Sequence, residues 1–298
     1  MLTIDPKDTP IPKLHGYLTA GIGPRPIALA STINKDGIPN LAPFSFFNVF
    51  GANPPILVFS PARSGRTTKT KDSHENVKQI AECVINVVTH NILEQMNLCS
   101  SPFDISVNEF EKSGFTPLAS ENVKPFRVKE SPIQMECKVL QVIETGEGGA
   151  AGNLVICEVV KMHICESILD ENQTIDSTKL DLIGRLGGDW FCRPNSSSMF
   201  KIDRHATKLV VGYDALPDDI KESTILSAND IARLAGLEVL PDETEVNEYK
   251  LIELSELFVS LEDEPAKLEQ KLHEIAKAHI EKNELELAIK TLLTFNNQ

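Results

Sequence analysis

The chain has 298 residues, of which 41% are hydrophobic and 24% charged, and its formal net charge is −14. That balance is globular and fits one large domain or a domain with an appendage; it excludes disordered, collagenous and disulfide-stapled classes. No stretch approaches the ~18 consecutive apolar residues of a membrane span, and the first eight residues lack a basic segment leading into an apolar core. Neither membrane insertion nor secretion is expected, and the default address is the cytoplasm.

The acidity is concentrated. From Gly212 to the end there are 20 acidic and 8 basic residues, against 23 and 21 before it. The asymmetry predicts two regions of different kind, and nucleic acid is not an expected partner.

In chain order, the first 200 residues read as β-rich. Pro26 to Ile33 is an apolar run ending at Asn34-Lys35-Asp36-Gly37, a tight-turn signal, and the chain returns through Pro39 to Phe47. Further strands are expected at Ile56–Phe59, Cys83–Val88, Met135–Glu144 and Leu154–Ile164. The last two read as an antiparallel pair joined by the glycine-rich Thr145 to Asn153. Short helices are expected at 74–82, 91–98 and 107–113. Many strands with few, short helices predict a β-barrel-dominated α+β fold, a closed or split barrel rather than a doubly wound sheet.

The tail changes period. Ser227 precedes a short capped helix ended by Gly236, and Leu268, Leu272 and Ile275, then Leu285, Ile289, Leu292 and Leu293, fall at helical spacing on either side of a break at Asn283. His273 and His279 lie six apart, not at the spacing that brings two ligands to one metal, and read as surface residues. The six cysteines are dispersed with no C-x-x-C pair, which predicts reduced structural thiols and no metal centre.

Two stretches bear on chemistry. Gly146-x-Gly148-Gly149-Ala150-Ala151-Gly152 lies between strands rather than opening a helix, so a dinucleotide-binding mechanism is not available to it. Arg63-Ser64-Gly65-Arg66-Thr67-Thr68-Lys69-Thr70-Lys71-Asp72-Ser73 packs four cations and five hydroxyls into eleven residues of an acidic protein. A loop of this composition, leading into a helix whose first N–H groups are free, can hold a phosphate; a solvated basic loop accounts for the same composition. In Asn40-Leu41-Ala42-Pro43-Phe44-Ser45, Pro43 cannot donate to a ladder, so this is an edge or bulged strand that leaves backbone groups free to meet a planar heterocycle.

Together these residues resemble the flavin reductase-like family, with its FMN-binding split barrel. The resemblance runs in order through Gly23-Pro24-Arg25-Pro26-Ile27-Ala28-Leu29, Asn40 to Ser45, Pro54-Pro55, Lys71-Asp72-Ser73 with Asn76, Met96-Asn97, Val107 to Glu111, Glu130-Ser131-Pro132, Glu158-Val159-Val160 with His163, and Gly184-Arg185-Leu186-Gly187-Gly188-Asp189-Trp190. It covers roughly residues 15 to 205. Ser73 stands where the family commonly has threonine, and Trp190 where tyrosine is usual.

The resemblance implies a split barrel over 1–205 followed by an acidic, mostly helical extension over 206–298. It implies a homodimer with FMN near the subunit interface, the backbone of Asn40, Leu41, Ala42, Pro43 and Ser45 bordering the ring system. Ser60, Arg63, Lys71, Asp72 and Ser73 would form the ribityl-phosphate end, with Asp72 on a ribityl hydroxyl or capping the following helix. Arg185 and Trp190 would lie near the flavin or at the dimer seam, and His163 on the nicotinamide side. The implied activity is hydride transfer from NADH or NADPH through FMN to a small acceptor or to free flavin, including flavin supplied to a monooxygenase partner. Two alternatives stand beside it: a non-catalytic FMN-binding module with a helical interaction tail, and a pyridoxamine-phosphate oxidase-like flavin oxidase.

Overall fold

A computed structural model describes residues 1–202 and 204–296, and the fold is clearest when followed from its tightest turn. Asn34 accepts the backbone N–H groups of Asp36 and Ile38 on its side chain, and Gly37 takes a positive φ of 83°. This turn folds β1 (Ala28–Ile33) onto β2 (Pro39–Phe44) with Ala28 facing Phe44 and Ile33 facing Pro39. The expected strand over Pro39 to Phe47 is broken: a corner at Ser45-Phe46 starts a new strand, β3 (Phe47–Ala52), which pairs with β4 (Pro55–Phe59). After β5 (Glu82–Val87), the two long strands β6 (Ile133–Glu144) and β7 (Asn153–Ile164) form the expected antiparallel ribbon.

The seven strands make one antiparallel sheet in the order β2-β1-β5-β6-β7-β4-β3. Its two edges, β2 and β3, are joined by the corner but not by a ladder, so the barrel is split there. Pro43 sits on the β2 edge, the position open to a residue without an N–H. The concave face buries Ala28, Ala30, Phe44, Phe59, Ile85, Met135, Val155 and three cysteines. Leu29, Leu41 and Val88 face the other way, against α3 (Leu93–Leu98) and α4 (Glu109–Ser113), where they meet Met96 and Phe110. With β1 covered on both sides, Ala28 to Thr32 are all buried, so burial does not alternate along the strand. Two further helices of this unit are α1 (Ile11–Gly21), which was not anticipated, and α2 (Asp72–Gln79). Two prolines at its start and a mostly exposed surface leave α1 without a clear apolar period.

The chain divides into two units, Met1–Phe200 and Lys201–Gln298. The second contains α5 (Ala228–Ala235), α6 (Glu243–Glu253), α7 (Ser255–Ser260), α8 (Pro265–Glu281) and α9 (Leu285–Leu293). Leu234, Ala276, Ile280, Ala288, Ile289 and Leu292 form its principal core. Asn283 takes a φ of 64° at the break between α8 and α9. One expectation is corrected here. His273 is buried, not on the surface, with Nδ1 2.7 Å from Ser223 Oγ. Gly236 ends α5 as expected, with a right-handed φ of −78°, and a Cβ there would come within 2.8 Å of the His205 ring.

Candidate functional site

The hydroxyl- and cation-rich loop between β4 and α2 is held from two sides. Its start is fixed by Ser60, which donates its N–H to Phe46 O at the β2–β3 corner and accepts the N–H of Asn153 on its hydroxyl (2.8 and 3.1 Å). Asn153 Nδ2 in turn donates to Pro61 O. The glycine-rich β6–β7 connection closes over the loop: Arg63 N–H donates to Ala151 O, and Ala150 N–H donates to Arg63 O. A Cβ on Gly149 would meet Gly65 O at 3.0 Å, so glycine there permits the two loops to touch.

At the far end of the loop, α2 begins with Asp72 and Ser73, and Lys71 at the cap position makes no side-chain capping bond. Lys71 O accepts from His74 and Glu75, which leaves the Asp72 and Ser73 N–H groups at a positive helix end. Ser73 is buried and accepts from Asn40 Nδ2 at 2.8 Å, while Thr32 Oγ1 accepts from both Asn40 and Asn76. These bonds tie the edge strand β2 to α2. Asp72 makes no capping hydrogen bond; burial, with Asp104 and Glu75 nearby, raises its carboxyl above the ordinary value, against the pull of Lys71.

Five buried side-chain polar atoms lack a hydrogen-bond partner among the described residues, and three of them belong to this loop and its walls: Arg63 Nε, His74 Nε2 and Asn153 Oδ1. Buried polar groups are nearly always satisfied, so such a concentration marks a place where something else supplies the partner. Arg63 Nη2 reaches Glu144 at 3.4 Å, and His74 Nε2 lies 3.3 Å from the same carboxylate without a hydrogen bond. Glu144 also pairs with Lys78, and that pairing holds its carboxyl below the usual range. It therefore offsets part of the loop's positive charge. Arg66, Lys69 and Lys71 remain exposed around it.

The outer edge of β2 has a definite polarity. Leu41 N–H points away from β1 and donates to the buried Glu109 carboxylate on α4 at 3.1 Å, so this amide is not free as expected. Pro43 has no N–H. In an antiparallel strand the same residues direct their carbonyls outward, so the Leu41 and Pro43 carbonyls make an acceptor edge. Burial, with the nearby Asp72 charge, raises Glu109 above the ordinary carboxylate value.

Ser45, at the end of that edge, accepts from the buried Arg25, which also donates to Thr19 O, Ile22 O and Leu186 O. Arg25 and Arg185 exchange backbone hydrogen bonds, and Arg185 stacks over Phe191 at 4.4 Å. Asn40, Ser45, Ser60, Arg63, Ser73 and Arg185 thus belong to one connected region around β2 and the loop. Trp190 does not join it through its side chain, which is 74% exposed at the tip of a hairpin. His163 lies near the far end of β7, about ten residues and ~33 Å of strand from Asn153. It is held by the fully buried Glu136 (Nε2 to Oε1 2.8 Å), and that carboxylate also accepts the N–H groups of Glu121 and Asn122. His74, Glu144, Asn153 and Arg25 were not singled out as site residues. Only Arg25, inside the Gly-Pro-Arg-Pro stretch, and His74, next to Ser73, had a sequence signal near them.

Residues 21–179 match the family described as "Flavin reductase like domain". The chain belongs to this family. The match falls wholly within the first unit. Over 196 residues the chain is 36% identical to an uncharacterized protein of Aquifex aeolicus, covering 66% of this chain and 97% of that one. Its fold is similar to nitrilotriacetate monooxygenase component B from Bacillus cereus (TM-score 0.63, 30% identity, 68% of this chain and 98% of that one). It is similar also to the 2-nitrobenzoate 2-nitroreductase NbaA of Pseudomonas fluorescens (TM-score 0.62, 29% identity, 71% and 100%). The first unit is the split barrel of flavin reductase-like oxidoreductases. Among the described residues, no helix is long and apolar enough to cross a membrane.

Proposed function

We propose that this chain is an NAD(P)H-dependent oxidoreductase that binds FMN, with the phosphate at the Ser60–Ser73 loop and the ring system along the β2 edge. The observation that carries the reading is the convergence of two buried, unpartnered nitrogens, Arg63 Nε and His74 Nε2, on a loop that also presents Lys71 and the first amides of α2. Charge-assisted donors of this kind suit a phosphate dianion. The acceptor edge of Leu41 and Pro43 suits the N–H of a planar heterocycle. When bound, the flavin would supply the hydride-accepting chemistry, with NADH or NADPH as donor and a small molecule or free flavin as acceptor. The protein's part is to fix the ring: Arg25 anchors the Ser45 corner, and the Asn40–Ser73 bond locks the strand to the phosphate helix.

The same reading extends to a homodimer. Val49 and Phe50 on β3, Leu140 on β6, and Val160 and Met162 on β7 are between 42% and 68% exposed, an apolar load heavy for a free barrel surface. Val160→Glu with Met162→Lys is expected to yield monomers in sedimentation; unchanged dimers would remove this face from the interface, and a wild-type monomer would end the dimer reading.

An absorption spectrum of the protein with FMN, recorded anaerobically before and after NADH and then NADPH, tests the activity. Bound flavin bleached by either nucleotide is the expected result. Bound flavin that stays oxidised would favour a binding module without turnover, and no association would remove the site.

A further inference from the structure

The barrel interior holds a group of side chains that the flavin reading does not use. Cys83 on β5, Cys137 on β6 and Cys157 on β7 come from three adjacent strands, and their Sγ atoms lie within 4.8 Å of one another. All three are fully buried and reduced. The register explains the meeting. Cys83 stands directly opposite Cys137, and Cys157 stands opposite Val139, two residues along β6 from Cys137 and on the same face. Around them are Phe59, Ile85, Met135 and Val155.

We propose that this trio is a three-coordinate site for a soft monovalent cation, Cu(I), bound by sulfur alone. Geometry comes first. Metal–thiolate bonds of ~2.3 Å in a trigonal plane put the sulfurs ~4 Å apart, so the trio has to close by less than ~1 Å. Donor type comes second. No His, Asp or Glu atom joins the three sulfurs among the described residues, a set that selects soft metals over hard ones and leaves tetrahedral zinc without its fourth ligand. Charge comes third, because an apolar core penalises any net charge. One Cu(I) entering three thiols forms three copper–sulfur bonds and releases one proton to solvent, leaving a neutral site of one thiolate and two thiols. A divalent ion reaches neutrality only by expelling two protons. The Cys137 thiol donates to Met135 O and the Cys157 thiol to Leu57 O, each at 3.4 Å, which holds both sulfurs in place beside Cys83.

The test uses the full-length protein, kept anaerobic, titrated with Cu(I) against a colorimetric Cu(I) chelator, with copper K-edge absorption on the loaded wild type. The expected result is one equivalent withheld from the chelator, with three sulfur neighbours and no nitrogen or oxygen. Cys83→Ala, Cys137→Ala and Cys157→Ala should each weaken binding at least tenfold. Cys165→Ala, which removes the exposed thiol, should leave it unchanged. The proposal is overturned if the chelator strips wild-type protein completely, if nitrogen or oxygen neighbours appear, or if Cys165→Ala abolishes binding. The K-edge measurement needs no variant, so misfolding of a substituted core cannot obscure the answer. Neither measurement involves flavin.

Discussion

At the starts of two helices of the helical unit, polar groups find partners three residues away. Ser227 and Asp230 form a reciprocal capping box at α5, and Asp242 and Glu245 form another at α6. In the barrel unit several buried side chains have partners far away along the chain. Asn86 bridges Leu29 O and the Val128 N–H, Glu136 collects Glu121, Asn122 and His163, and Asn153 serves Ser60 and Pro61. Four of the five unpartnered buried atoms lie in the barrel unit, and three of those surround one loop. The helical unit leaves one such atom open among its described residues, His273 Nε2; the barrel unit gathers three at one place, where the proposed phosphate would complete the two nitrogens.

The hardest way to break this comparison is to ask whether the two units are energetically separate, as we propose. Phe59 is fully buried in the barrel and Ile280 in the helical core. Phe59→Ala should cost ~3–5 kcal/mol and Ile280→Ala ~2–5 kcal/mol, since each deletes a large buried side chain and leaves a cavity. Calorimetry should show Phe59→Ala lowering one transition and Ile280→Ala the other. A single transition that both variants lower would make the chain one cooperative body.

The next effect concerns the unpartnered atoms of the barrel. Arg63→Ala combined with Lys71→Ala removes two cations from the loop, and charge-assisted hydrogen bonds contribute ~1.5–3 kcal/mol each. FMN affinity should fall roughly 100-fold or more, with riboflavin, which lacks the phosphate, nearly unaffected. Equal losses for both ligands, measured by fluorescence titration, would take the loop out of the site.

What could be seen in the sequence follows the same division. The Asn34–Gly37 hairpin, the long β6–β7 ribbon, the Ser227 cap and the break at Asn283 all rest on residues within a few positions of one another, and all were legible. The hydroxyl- and cation-rich loop was legible as composition. Its walls were not, because Glu144 and Asn153 reach it from β6 and β7 and neither stands out where it lies in the chain, while His74 had only its neighbour Ser73 to mark it. The three core cysteines are the extreme case: dispersed spacing argued for unrelated thiols, and only the strand register brings them together. For His163, its place at a strand end gave no sign of Glu136 beside it or of its distance along β7 from the loop.

Among the local partners, Ser227→Ala should cost the helical unit ~1 kcal/mol, because it removes the acceptor of the Asp230 N–H and half of the capping box. A loss of similar size in the barrel transition would contradict separate units. Substituting Asp242 by Ala repeats the experiment at α6 and should give an effect of the same order.

The smallest expected effect lies in the helical unit's pH dependence. Burial pushes His273 below its ordinary value of 6.5, with Glu269 and Asp219 pulling weakly the other way. The folded state therefore favours the neutral ring, whose Nδ1 lies 2.7 Å from Ser223 Oγ. A group depressed on folding binds its proton more readily in the unfolded chain, so its contribution is fully present above about pH 6.5 and is lost as the pH falls toward the lowered folded value. The window between pH ~7 and ~5 lies above the ordinary range of carboxylates, so their titration contributes little there. His205 and His279 are common to both proteins in the comparison and cancel. His273→Gln should flatten the fall in melting temperature across this window while retaining a polar partner for Ser223. An unchanged slope would mean that the acid sensitivity of this unit arises elsewhere.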